Sequence, residues 1–95
     1  MGSKYHVIIS SRATQMLVSY ATYISQYDSA AANKFIEEFE KASQSLEEFP
    51  RRCQWLEGDY IPAKTYRYRI FHKHYMLIFK IEDDSVYVDY VINCR

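Results

Sequence analysis

The stretch Lys64 to Phe79, KTYRYRIFHKHYMLIF, decides how this chain is built. Its residues alternate at the strand period, so Tyr66, Tyr68 and Ile70 point one way while Arg67, Arg69 and Phe71 point the other. One face reads as apolar and one as cationic. His72-Lys73-His74 supplies a polar turn, after which Tyr75 to Phe79 resumes as a strand apolar on both faces. The spacing predicts a hydrophobic hairpin with a basic ledge.

Working outward, the flanks supply the partners of that hairpin. Toward the C-terminus, Glu82-Asp83-Asp84-Ser85 is a polar turn, and Val86 to Ile92 alternates again, with Val86, Val88, Tyr90 and Ile92 set against Tyr87, Asp89 and Val91. Toward the N-terminus, Arg51 to Pro62 has no period, and Gly58-Asp59 with Pro62 marks it as a loop in which Trp55 and Tyr60 are the candidate anchors. Before the loop lie two amphipathic stripes. Ala13, Met16, Leu17, Tyr20, Ala21, Ile24 and Tyr27 recur at helical steps, and so do Ala32, Phe35, Ile36, Phe39, Ala42, Ser43, Leu46 and Phe49. Asp28-Ser29 caps the second stripe and Pro50 ends it. Tyr5 to Ser10 is a short β-rich run that stops at the cap Ser10-Ser11.

The order βααβββ predicts an α+β fold in which the helical hairpin Arg12 to Phe49 covers one face of an antiparallel sheet, built mainly from Lys64–Phe71, Tyr75–Ile81 and Val86–Asn93. A length of 95 residues supports one core and one domain, residues 1–95. Twelve basic residues balance twelve acidic ones, which excludes coating of nucleic acid by net charge alone. The charges are segregated all the same. Acids prevail from Asp28 to Glu48 and bases from Arg51 to His74, so the molecule is expected to have an acidic and a basic side. Cys53 and Cys94 lack metal or redox spacing and read as free cytosolic thiols. No apolar run approaches the roughly 20 residues of a membrane span. The expected location is the cytoplasm.

Ala32-Asn33-Lys34-Phe35-Ile36, Leu46-Glu47-Glu48-Phe49-Pro50 and the strands Tyr75 to Ile81 and Val86 to Ile92, in that order, resemble the RelE/ParE superfamily of bacterial toxin–antitoxin toxins. The resemblance covers nearly the whole chain and divides into two mechanisms. RelE-like members cut messenger RNA on the ribosome, using cationic residues to favour attack of a ribose 2′-hydroxyl on the adjacent phosphate. ParE-like members inhibit DNA gyrase. Matched without a gap, the basic residues of the RelE pattern fall on Arg67, Arg69 and Arg95, but the arginine that follows the tyrosine of the next strand falls on Met76. Losing one such preorganised donor costs about 3–4 kcal/mol of transition-state stabilisation. The resemblance therefore implies the ParE-like branch, with no cofactor and no assigned catalytic residue.

The alternatives are a RelE-like ribonuclease using Arg67, Arg69 and Arg95 with His72 or His74 for proton transfer, and a member that retains only antitoxin binding. The partners implied are a cognate antitoxin and DNA gyrase, or the ribosome and messenger RNA in the alternative, with a homodimer or a hetero-oligomer with antitoxin as the assembly. Arg67, Arg69 and Lys73 are the candidate set for an acidic antitoxin or a phosphate. The same arginines also fit solvent-facing charges that protect an edge strand. His72 and His74 have the i, i+2 spacing of paired strand ligands, but no motif supplies a third, so no metal site is expected.

Overall fold

The computed structural model describes residues 4–94, and its first strand, β1 (His6–Ile9), ends at a helix cap. Ser10 Oγ accepts a hydrogen bond from the Ala13 N–H at 3.0 Å and starts α1 (Ser11–Ser25). Asp28 Oδ1 repeats the device on the Ala31 N–H at 3.2 Å and starts α2 (Ser29–Ser45). Both caps lie where the sequence places them. Both helices end sooner than their stripes suggest, leaving Tyr27 and Phe49 exposed rather than packed. The main chain has tightened into turns by then, with Tyr27 N–H bonded to the Ile24 carbonyl and Glu48 N–H to that of Ser45.

Beyond a 3-10 turn at Pro50–Arg52, the stretch expected to be a loop contains a two-residue strand, β2 (Gln54–Trp55). It pairs with β3 (Arg67–Phe71), which continues through hairpins into β4 (Tyr75–Glu82) and β5 (Ser85–Asn93). The sheet order is β1-β5-β4-β3-β2. β3, β4 and β5 alternate in direction as expected and β2 extends the alternation, whereas β1 lies parallel to β5, so the whole sheet is mixed rather than antiparallel.

The helices cover one face. Phe35 and Phe39 of α2 meet Phe71 at ring distances of 5.5 and 5.6 Å, and Phe35 meets Tyr75 at 4.8 Å. Leu77 and Phe79 are fully buried there with Ala13, Leu17, Leu46, Val86 and Val88. Each large apolar side chain so enclosed contributes about 1.5–3 kcal/mol.

A bulge corrects the expected phase of the last strand. Ile78 pairs with Tyr90 but Phe79 pairs with Val88, so Asp89 is an extra residue. The insertion turns Val91 inward to join Val86 and Val88 in the core. Tyr90 and Ile92 move to the face that carries no helix.

On that uncovered face the direct strand partners are Tyr68 with Ile78 and Ile70 with Met76. Tyr66 and Tyr90 touch edge to face there at 6.3 Å, and Ile78 is only 5% exposed although no helix covers it. Among the described residues, no helix is long and apolar enough to cross a membrane.

Candidate functional site

Alternation along β3 sends Arg67 and Arg69 to the side of Phe71, which is the helix side. Their strand partners, Phe79 and Leu77, lie in the core. The cationic face of β3 is therefore the one turned toward the helix layer, and it is tolerated because β3 lies near the sheet edge, where α2 has ended. The Tyr66, Tyr68 and Ile70 face is the open one.

The two arginines have different jobs. Arg67 stacks its guanidinium on Trp55, 3.8 Å from the ring centre, and donates to the Cys53 carbonyl at 2.7 Å and the Arg51 carbonyl at 3.1 Å. These contacts satisfy a planar donor fork with main-chain acceptors and hold the loop against β3. Trp55 is thus an anchor, as expected, but Tyr60 is 98% exposed and anchors nothing. Arg69 is exposed and points into a concavity of about 530 Å³ between the end of α2 and β3. Ser45, Leu46, Phe49, Arg52 and Cys53 form one wall, and Tyr68, Arg69 and Ile70 the other.

Arg52 belongs to this site and escaped the sequence reading. It lies 4.3 Å over the Phe49 ring, so its charge is carried by an exposed aromatic side chain rather than an acid. The signal was a basic pair, Arg51-Arg52, directly after a phenylalanine and a proline. Cys53 is half-buried here. Burial pushes its thiol pKa up, while Arg69 and then Arg67 pull it back by favouring the thiolate.

The remaining candidates lie elsewhere. His72 and Lys73 form the β3–β4 turn with left-handed backbone, φ 49° and 69°, a conformation that costs a non-glycine residue about 1–2 kcal/mol. His72 is tied down despite its place in a turn. Its Nδ1 lies 3.0 Å from Glu38 Oε1 on α2, and its ring packs on Phe35 at 5.4 Å. His74 stacks on Tyr75 at 5.5 Å, and Lys73 is exposed at the turn's tip. Among the described residues, no three His, Cys, Asp or Glu side chains converge on a common point. Met76 faces the open side, across the sheet from both arginines. Arg95 lies outside the described residues.

A larger groove, about 620 Å³, runs between α1, α2 and β1, floored by Val7, Ile9, Leu17 and Phe39 and edged by Glu37, Glu40 and Glu47. Ser43 Oγ lies beside it, buried and without a hydrogen-bond partner. The acidic and basic concavities stand on opposite sides of α2's last turns, which realises the charge segregation of the sequence.

A helical hairpin laid across one face of this five-stranded sheet defines a small α+β domain of the RelE/ParE type. Residues 7–95 match the family model described as the ParE toxin of the type II toxin–antitoxin system parDE, and the chain belongs to that family. The fold is similar to a chain from the chromosomal ParDE toxin–antitoxin system of P. aeruginosa, with a TM-score of 0.76 and 11% identity over 97% of this chain and 98% of that one. It is also similar to the conserved hypothetical protein HP0894 from Helicobacter pylori, with a TM-score of 0.59 and 13% identity over 94% and 93% of the two chains. Among curated proteins, none matches the sequence.

Proposed function

We propose that this ParE-family toxin acts in the cytoplasm by binding and inhibiting DNA gyrase, and that a cognate antitoxin neutralises it. The observation that carries the choice of mechanism is the separation of the cations. Phosphodiester cleavage needs several donors aimed at one phosphorane. Here Arg67 is spent on two loop carbonyls and Met76 faces the other side of the sheet. His72, held against Glu38, faces α2. The described residues thus hold no converging set, which favours a toxin that acts by occupying a partner. The similarity to a chain from a ParDE system supports an antitoxin as the other partner.

Two purified assays test the proposal together. In the first, the protein is added to gyrase with relaxed plasmid, and loss of supercoiling with accumulation of cleaved DNA is expected. In the second, translating ribosomes are supplied with messenger RNA, and no cleavage above background is expected. Message cleavage that disappears on Arg69→Ala, with gyrase unaffected, would put the ribonuclease reading in its place.

A further inference from the structure

The loop between β2 and β3 is pinned at its base and bare at its tip. Trp55 pairs with Arg67 in the ladder, and the Leu56 N–H donates to the Tyr66 carbonyl at 2.7 Å, so the two ends of the loop are tied together. Within it, the Ile61 N–H donates to the Gly58 carbonyl at 3.2 Å, which makes Asp59 and Tyr60 the central residues of a β-turn. Ile61 packs so closely on the glycine that a Cβ there would lie 3.1 Å from Ile61 Cδ1. Beyond the turn, Pro62 fixes its own φ and Thr65 Oγ1 donates to the Ala63 carbonyl at 3.1 Å. The loop is a braced support for its turn.

What the turn presents has no use inside the fold. Tyr60 is 98% exposed and meets neither a ring nor a hydrogen-bond partner among the described residues, whereas Tyr27, also exposed, at least rests edge to face on Tyr23 at 5.4 Å. Glu57 and Asp59 are exposed beside Tyr60, and neither carboxylate is in an ion pair among the described residues. An aromatic side chain held out in water between free charges has the composition of an interface anchor with its polar rim.

We propose that this turn, residues 57–61, is the part of the chain that grips gyrase, with the Tyr60 ring as the anchor and the Glu57 and Asp59 carboxylates set against a cationic surface of that enzyme. The inference rests on the gyrase reading. An enzyme that handles DNA neutralises phosphates with lysine and arginine, so the surface around its DNA path is cationic. Such a surface attracts an acidic turn and repels the concavity that holds Arg52 and Arg69. The acidic face of α2 has charge of the right sign, but α2 exposes no large apolar side chain to serve as an anchor. Because the loop is already braced, little conformational entropy is lost when it docks.

The test uses the whole chain, purified gyrase and relaxed plasmid. Tyr60→Ala is expected to raise the concentration needed for half-inhibition of supercoiling by at least about tenfold. Tyr60→Phe, which keeps the ring, should stay within about threefold of the parent. Glu57→Lys combined with Asp59→Lys should also cost at least about tenfold, and the parent's binding should weaken as salt rises. Tyr27→Ala, an exposed tyrosine elsewhere, should change nothing. Circular dichroism checks that each variant is folded, and hydroxyl-radical footprinting should show Tyr60 shielded when gyrase is added. If the unaltered chain neither binds nor inhibits gyrase, the gyrase reading falls and this inference with it. Inhibition by the parent that Tyr60→Ala leaves intact, an equal loss with Tyr27→Ala, or a Tyr60 ring that stays open to oxidation in the complex would overturn this inference alone.

Discussion

Arg67 and Trp55 are direct partners across the β2–β3 ladder, and the guanidinium carbon sits 3.8 Å from the indole ring centre. With two loop carbonyls as its other contacts, Arg67 is a strut of the fold. Arg69, two residues on, is free to meet a partner. Arg67→Ala is expected to cost about 2 kcal/mol, from lost charge-assisted hydrogen bonds and ring stacking at a partly exposed position. Arg67→Lys should recover only part of it, because an ammonium lacks the planar fork. Arg69→Ala should fall within about 0.5 kcal/mol of the parent. Urea denaturation of the three variants measures the differences, and equal losses at both positions would contradict the division of labour.

Met76→Arg should not create a ribonuclease. The new guanidinium would project from the uncovered face beside Ile70 and Ile78, on the side of the sheet away from Arg69. Cleavage of ribosome-bound message by the variant, at a rate above that of the parent, would show that the two faces cooperate after all.

Ser43→Ala should stabilise the protein by about 0.5–1 kcal/mol. The hydroxyl oxygen is buried in α2 without a partner, and alanine is both the better helix former and free of the polar group. A fall in the urea midpoint would mean that the hydroxyl has a bonded role in solution.

Alkylation should reach Cys94 well before Cys53. Cys94 is exposed, while burial covers Cys53 and raises its thiol pKa. The sign follows from that direction. With the folded value above the unfolded one, the protonated thiol favours the fold below the unfolded pKa, and this contribution is lost as pH rises through the folded value. Arg69→Ala removes the larger of the two cationic influences that oppose burial, so Cys53 should react more slowly still. Mass spectrometry of iodoacetamide-treated protein over a pH series reads both rates, and faster modification of Cys53 in the variant would contradict the electrostatic assignment.

How much of this was legible without coordinates differs from residue to residue. Ser10 and Asp28 announce their helices because capping is a local event, a side-chain oxygen meeting an N–H three residues on. Leu77 and Phe79 are recognisable as core because a strand apolar on both faces has nowhere else to go. The order of the elements is likewise a matter of sequence, and so is the methionine at position 76, where the resemblance to RelE-like members implies an arginine.

Tertiary structure decided which face was which. Alternation places Arg67, Arg69 and Phe71 together, but whether helices cover that side depends on Phe35 and Phe39, more than thirty positions earlier, finding Phe71. The bulge at Asp89 is equally invisible to period, since one extra residue changes the phase of Val91 without changing any residue type. The strand at Gln54–Trp55 is too short to show a pattern and exists because Arg67 reaches across to hold it. The sequence by itself determined the two helices, the four longer strands, the caps and the family, because those depend on neighbours along the chain. The concavity shared by Arg52 and Arg69 was decided only by folding, because it depends on where a distant segment stops.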